Sequence, residues 1–366
     1  MKLSDFDYPL PPECIAQHPL EERDASRLLL LDRQSGAFED RLFRELPELV
    51  RGDELVVLNN VQVFPARLFG RRRGLRAEPV GRRSRARRKY LQAPIEVLLV
   101  RRLEGSGERE VWEALVRPGR KVRSGEVLMF GEEELEAKVL GRGEYGLRTL
   151  EFRCAGDCRA AFERLGHVPL PPYIDRADEP ADRARYQTVF ARQGEAVAAP
   201  TAGLHFTPTT LAQLKQRGCE LAEITLEVGY GTFQPIHTET VEQHRMHAET
   251  YEIAPEAAAA IERARGAGRP VLAVGTTVVR ALEDSASRHG QVRPGRQEAT
   301  LFIYPGYEFK VVNQLLTNFH LPQSSLLILV CAFAGREKVL AAYRQAVSAG
   351  YRFYSYGDCM LIRSGA

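Results

Sequence analysis

The sequence predicts an α/β main domain with a mixed sheet, plus an inserted small antiparallel β-barrel domain. Three observations predict it. After residue 173, helix-like and strand-like segments alternate, the pattern of a mostly parallel or mixed sheet covered by helices. Between residues 66 and 152 the texture changes to short β-rich segments separated by Gly-containing turns, with no convincing helix among them. Apolar strands precede that stretch as well as follow it, so the barrel interrupts the main domain. The expected division is 1–65 with 153–366 for the discontinuous α/β domain, and 66–152 for the insert.

Taken in order, residues 26–32 form a buried strand that ends in a turn at Ser35 and Gly36. A turn at residues 51–53 leads into a second apolar strand, 54–58. The barrel strands are read at 95–100, 111–116, 127–130, 135–140 and 146–152. Thr207 as N-cap and Pro208 at the first helical position open a helix that Gly218 closes. A strand at 221–228, a helix from Pro255 to near Gly268 and a strand at 270–274 follow. Gly275-Thr276-Thr277 should open the next helix, a strand at 300–304 precedes a turn at Pro305-Gly306, and one helix is expected over 324–348.

Composition sets the class. Hydrophobic residues make up 44% of 366 and charged residues 27%, which suits a globular protein with a real core and excludes disorder as its main state. Net charge is +3, from 51 Lys and Arg against 48 Asp and Glu, but the basic charge is local. Ten Arg and Lys residues fall between Arg71 and Lys89, Arg72, Arg83 and Arg87 among them, with Glu78 as the only acid. Such a run suits a polyanion or a solvated loop. Six scattered cysteines are not a disulfide framework. The first ten residues carry no apolar h-region, so no signal peptide is expected, and the longest apolar run, 326–334, is about half of a membrane span. The expectation is a cytoplasmic protein without membrane contact, and a monomer, since no heptad pattern calls for a partner.

Four polar loops stand out: residues 199–207, 229–233, 317–322 and 355–358. Each adjoins a strand and mixes Gly, Pro, Thr or Ser with His, aromatics or Asp. In α/β sheets, ligands bind at loops beyond the carboxyl ends of strands, and Gly lets backbone approach them. One such loop alone reads as turn chemistry; four together favour a site. His244, His247 and Glu249 invite a metal, but the segment runs into strand-like alternation and carries no His-Glu-x-x-His pattern, so no metal is expected. Gly275-Thr276-Thr277 could hold an anion on helix N-terminal amides, though it equally reads as a Thr-capped helix; it is not a P-loop. Neither a Gly-x-Gly-x-x-Gly strand end nor a three-cysteine radical motif is found, since Ala161 stands where a third cysteine would follow Cys154 and Cys158.

With these loops in view, the whole chain resembles one family, the S-adenosylmethionine:tRNA ribosyltransferase-isomerases of queuosine biosynthesis. The likeness starts at residues 5–11 (Asp-Phe-Asp-Tyr-Pro-Leu-Pro) and 26–28 (Ser-Arg-Leu). It is densest at 167–174 (His-Val-Pro-Leu-Pro-Pro-Tyr-Ile), 185–188 (Arg-Tyr-Gln-Thr) and 198–207 (Ala-Ala-Pro-Thr-Ala-Gly-Leu-His-Phe-Thr). It continues through 231–233, 246–249, 274–277 and 317–322 to 355–358 (Ser-Tyr-Gly-Asp). Two departures are visible: Val61 and Gln62 replace the family's Thr and basic residue, and residues 82–94 look inserted.

The resemblance implies an enzyme that moves the ribosyl part of S-adenosylmethionine to the aminomethyl group of 7-aminomethyl-7-deazaguanine at the tRNA wobble position. The ribosyl group rearranges to an epoxycyclopentanediol, and adenine and methionine leave. S-adenosylmethionine is thus a consumed substrate, and no permanently bound cofactor is expected. The sulfonium acidifies the adjacent C5′ hydrogens, so a base near neutral pH is needed, which favours His. His205, His247 and His320 are the rivals, with Asp358 as the carboxylate alternative. Substrate contacts are expected from Thr201, Gly203, Phe206, Gly229, Gly231, Thr232, Phe233, Gly275, Thr276, Thr277, Arg280, Asn318, Ser355 and Tyr356, with Tyr230 as a further aromatic face for the sulfonium. For tRNA the expected contacts are Arg185 and, in the basic run, Arg71, Arg72, Arg83 and Arg87.

Overall fold

A computed structural model of the chain describes residues 1–73, 93–119, 122–143, 146–229, 236, 238–246 and 248–364. They divide into two compact units, residues 1–63, 171–177 and 184–366 in one and residues 64–170 and 178–183 in the other. The second unit therefore extends past the expected boundary at 152. The added helix, Cys158–Leu165, presents Phe162 to Trp112 and Phe152, with edge-on ring contacts at 5.8 and 5.1 Å, so its apolar face is spent on the barrel.

In the first unit, nine strands among the described residues form one mixed sheet. Their spatial order is Gly295–Ala299, Glu249–Ile253, Glu220–Leu226, Leu55–Asn59, Val271–Val274, Gln314–Asn318, Cys359–Arg363, Arg27–Asp32 and Phe38–Leu42. The four strands from Glu220–Leu226 to Gln314–Asn318 run parallel, and Cys359–Arg363 returns antiparallel beside them. Leu55–Asn59 is buried along its whole length, as an apolar run covered on both faces should be. Alternate residues serve opposite layers: Val57 and Ala273 pack with Leu282 and Phe319, while Val56, Leu58 and Leu272 pack with Leu361 and Phe206.

The helices follow their capping signals. Thr207 Oγ1 accepts from the Thr210 N–H at 3.1 Å at the head of Pro208–Gln216. Pro255 opens Pro255–Gly266, and Gly275, at φ +95°, precedes Thr276–His289. Two expectations are corrected. The helix expected over 324–348 is two helices, Ser325–Ala334 and Arg336–Ser348, because Gly335 adopts φ +91° and cannot continue a right-handed helix. The strand expected at 300–304 lies instead at Gly295–Ala299. The N–H groups of Thr300 and Leu301 donate to Asp284 Oδ1 at 3.2 and 3.3 Å, so a buried carboxylate takes the donors a ladder would need.

The second unit is a closed antiparallel barrel of six strands: Leu147–Cys154, Arg109–Arg117, Ile95–Ser106, Arg67–Arg72, Val127–Phe130 and Leu135–Arg142. Trp112 stacks on Phe64 at 5.6 Å in its core. Closure leaves no free sheet edge. Among the described residues, no helix is long and apolar enough to cross a membrane.

Candidate active site

The first unit holds a cavity of about 450 Å³. It opens where the parallel strands end: Val228 follows Glu220–Leu226, Gly275 to Thr277 follow Val271–Val274, and Thr317 to His320 close Gln314–Asn318. Tyr354 and Ser355 reach the same edge because the strand after them runs the other way. This is the position that open α/β sheets reserve for ligands. Among the described lining residues none is Asp, Glu, Lys or Arg, and His320 is the only imidazole. The described lining is therefore uncharged and largely apolar, with a few placed polar groups.

Asn318 is the most constrained of these groups. It is 2% exposed. Its Nδ2 donates to the carbonyls of Tyr354 at 3.0 Å and Asp358 at 3.4 Å, and faces His205 Nε2 at 3.2 Å. Two carbonyl acceptors settle which end of the amide carries the hydrogens. His205 Nε2 must then accept, so the ring proton sits on Nδ1 and points to Ser26 Oγ at 2.7 Å. Ser26 Oγ passes the chain on to the Arg23 carbonyl at 3.4 Å. Asn318 Oδ1 is left buried without a protein partner, as are Thr277 Oγ1 and Tyr354 OH, and all three residues line the cavity. Buried polar atoms without partners are costly, so three around one cavity mark places for ligand hydrogen bonds.

His320 stands on the cavity wall with Nε2 2.9 Å from Thr317 Oγ1. Its backbone is held at both ends: its carbonyl accepts from Tyr8 OH at 2.5 Å, and its N–H donates to Tyr343 OH at 3.2 Å. Burial pushes the imidazole down to about 3. Burial, with the Arg23 and Arg352 charges added, takes His205 down to about 4. Opposite, Tyr173 stacks on Tyr354 with ring centroids 4.4 Å apart, and its hydroxyl lies 2.6 Å from Ser355 Oγ.

Of the remaining expected residues, Thr201, Gly275, Thr276, Thr277 and Ser355 line this cavity, and Tyr356 and Arg185 line a narrower cleft beside His205. Four residues lie elsewhere. Phe206 is fully buried between Phe43 and Phe190, at 5.0 and 6.0 Å. Gly203 is a packing position, since a Cβ there would meet Phe190 Cζ at 2.7 Å. Arg280 is buried in an ion pair with Glu249 and lies off the cavity wall. Asp358 spends both oxygens on backbone, accepting from Arg27 N at 2.9 Å and Arg352 N at 2.8 Å.

Gly229 donates its N–H to Glu249 Oε1 at 3.4 Å. Arg72 is not carried forward as an RNA contact: it is 3% exposed and paired with Glu126 at 2.9 Å inside the barrel unit. Arg71 remains exposed, 3.5 Å from Glu133. Tyr230, Gly231, Thr232, Phe233, His247, Arg83 and Arg87 lie outside the described residues. No cluster of three His, Cys, Asp or Glu suited to a metal occurs among the described residues. Tyr173, Tyr354, Thr317 and Ser26 were not anticipated as site residues, although Tyr173 ends the Pro-Pro-Tyr segment and Thr317 opens the 317–322 loop.

The two buried histidines predict acid sensitivity. Their folded values, about 4 and about 3, lie below the roughly 6.5 of an unfolded chain. Their stabilising contribution is therefore present above pH 6.5 and is lost as pH falls toward those values. Between pH 7.5 and 5.0 each histidine should remove about 2 kcal/mol. Urea midpoints at the two pH values check this, and His205→Asn should lose about 2 kcal/mol less than the wild type. An identical pH dependence in the variant would overturn it.

Comparison with known proteins places this geometry in context. A family model described as a queuosine biosynthesis protein matches residues 3–362. A relative from Solibacter usitatus (strain Ellin6076) is 54% identical over 362 residues, covering 99% of this chain and 100% of its own. One from Moorella thermoacetica is 52% identical over 363 residues, with the same coverage. Both are named S-adenosylmethionine:tRNA ribosyltransferase-isomerase. The crystal structure of an S-adenosylmethionine tRNA ribosyltransferase from Thermotoga maritima matches at 38% identity with a TM-score of 0.52, covering 98% of this chain and 100% of that one.

Proposed function

The chain belongs to the queuosine biosynthesis protein family, and from that premise we propose that it is an S-adenosylmethionine:tRNA ribosyltransferase-isomerase. It transfers the ribosyl moiety of S-adenosylmethionine to the aminomethyl group of 7-aminomethyl-7-deazaguanine at the tRNA wobble position and isomerises it. The products are epoxyqueuosine-tRNA, adenine and methionine. The observation that carries the reading to this chain's own residues is a cavity whose described lining holds no Asp, Glu, Lys or Arg and a single imidazole, His320. A sulfonium nucleoside needs apolar and aromatic walls, a neutral base, and no carboxylate that would hold its charge in the ground state.

His320 is the base in this reading. Its depressed value does not disqualify it. When the C5′ proton moves from the sulfonium-bearing carbon to neutral His320, one buried cation is replaced by another, so the cavity carries one positive charge before and after. The burial that disfavours imidazolium in the empty cavity disfavours the bound sulfonium as well, and the two penalties offset. The ylide's electron pair forms C4′=C5′ as C4′–O4′ breaks, and O4′ forms a carbonyl at C1′ as C1′–N9 breaks, so adenine leaves and takes up a proton. The neutral substrate amine then attacks, and methionine departs with the electron pair of its C5′–S bond as the isomerisation closes. Asn318 Oδ1, fixed as an acceptor, would orient a ribose hydroxyl or that amine. The Tyr173–Tyr354 pair offers the aromatic face. Thr277 Oγ1 and the amides that open Thr276–His289 would receive the methionine carboxylate. His205 sets the orientation of Asn318 and takes no proton from the substrate. Arg185 and Arg71 are the tRNA contacts kept in this reading. It further takes the enzyme as a cytoplasmic monomer with no permanent cofactor.

Incubation with S-adenosylmethionine and an anticodon stem-loop bearing the aminomethyl base tests the assignment. Free adenine and methionine are expected in equal amounts. S-adenosylhomocysteine would instead mean a methyltransferase, and no product at all would mean a binding protein.

A further inference from the structure

Beside the reaction cavity runs a narrower cleft lined by Arg23, Arg185, Ser26, His205, Ser355 and Tyr356. Ser355 borders both spaces. Two half-buried guanidiniums converge here, and among the described residues no carboxylate pairs with either. Arg23 donates to the carbonyls of Ala184 at 2.6 Å and Leu204 at 3.1 Å, and Arg185 to those of Leu20 at 2.6 Å and Glu21 at 2.8 Å. Arg185 Nε is buried with no partner. A third guanidinium, Arg352, lies within electrostatic reach of His205; it hydrogen-bonds the His18 carbonyl, and its Nη1 is also buried without a partner. The one carboxylate among the described lining residues, Glu22, is exposed and taken by Arg44 at 2.9 Å.

Arg352 also feels the buried Asp358 carboxylate, but for Arg23 and Arg185 backbone carbonyls fix the side chains without cancelling their charge, and partly desolvated cations side by side repel. Burial and the neighbouring Arg185 charge both lower Arg23. Such an arrangement is stable when an anion completes it. We infer that this cleft binds a phosphodiester of the RNA strand, next to the nucleotide whose base enters the reaction cavity. The inference rests on the tRNA-modifying reading above. The cleft is about 20 Å³, room for one oxygen-sized group. A non-bridging phosphate oxygen fits it, and a whole nucleotide does not. Arginine forks are the usual clamp for such oxygens. A phosphate held here, across Ser355 from the cavity, would fix the backbone while the unstacked base turns inward.

Stem-loops in which single phosphodiesters flanking the wobble nucleotide are replaced by uncharged methylphosphonates test this on the wild-type enzyme. One replacement should weaken binding roughly tenfold or more. It should also flatten the slope of log K against log salt by about 0.7. R23Q and R185Q should show the same loss on native RNA and no further loss on that replaced RNA, with S-adenosylmethionine affinity unchanged. Equal binding of all replaced stem-loops overturns the inference whether or not the variants fold. A raised S-adenosylmethionine Kd with an unchanged salt slope in R185Q also overturns it, since the anion would then be the methionine carboxylate. Adenine release from wild type on native RNA tests the functional reading separately. If adenine is released and no phosphate matters, the cleft alone is misassigned.

Discussion

His320→Ala is expected to slow adenine release by about 10²–10⁴-fold while S-adenosylmethionine still binds. The expectation follows from placement. Of the imidazoles among the described residues, His320 alone lines the cavity, and its backbone is pinned by Tyr8 and Tyr343. His205 has both ring nitrogens engaged and borders the other cleft. The loss should appear in kcat more than in KM, because a base acts in the transition state and contributes little to ground-state binding. Because burial holds the free imidazole near 3, activity should show no acid limb near pH 6.5 from this group. His205→Asn should behave differently. It frees one of three constraints on Asn318 and should raise KM together with a smaller fall in kcat. Equilibrium binding of S-adenosylmethionine and single-turnover adenine release separate the two. Adenine release at the wild-type rate from His320→Ala would remove His320 from the role.

Much of this was readable in the chain itself, for identifiable reasons. The strand at Leu55–Asn59 and the helices begun by Pro208 and Pro255 are local events, set by apolar runs and N-terminal caps. The loops at 317–322 and 275–277 reached the cavity because they follow parallel strands, and a sheet delivers such loops to one edge. What remained hidden depends on partners far away in sequence. The His205 tautomer is set by Ser26 and Asn318, 179 and 113 residues distant. Residues 201–205 form a 3-10 turn that keeps Thr201 at the cavity while Gly203 and Phe206 pack inward, so one polar motif supplies both wall and core. Arg72 sat in a run of arginines and looked solvated, yet it pairs with Glu126, 54 residues on. The break at Gly335 rests on a backbone conformation, φ +91°, that a lone Gly between two apolar helical stretches does not announce.

Asp358→Ala should cost about 3 kcal/mol of stability rather than uncouple chemistry from binding. The carboxylate bridges the starts of two paired strands. Oδ1 accepts from the N–H of Arg27, which opens Arg27–Asp32, and Oδ2 from the N–H of Arg352, upstream of Cys359–Arg363. Alanine leaves two N–H groups unpaired at a site where Asp358 is 2% exposed. Each charge-assisted bond is worth about 1.5–3 kcal/mol, and loss of the buried carboxylate, whose pKa burial raises, offsets part of the sum. Asp358→Asn should cost about half as much, since one amide oxygen can still accept from one of the two N–H groups. The turn has little room to adjust, because a Cβ at Gly357 would lie 2.5 Å from the carbonyl of Arg352. The same turn supplies the Asp358 carbonyl that holds Asn318 at 3.4 Å, so loosening it would also loosen the acceptor aimed into the cavity. Thermal melts with single-turnover rates on the folded fraction decide the matter. A lowered Tm with folded-state rates within about tenfold of wild type fits the structural role. An unchanged Tm with a rate loss beyond about 100-fold would return Asp358 to the proton-transfer chemistry.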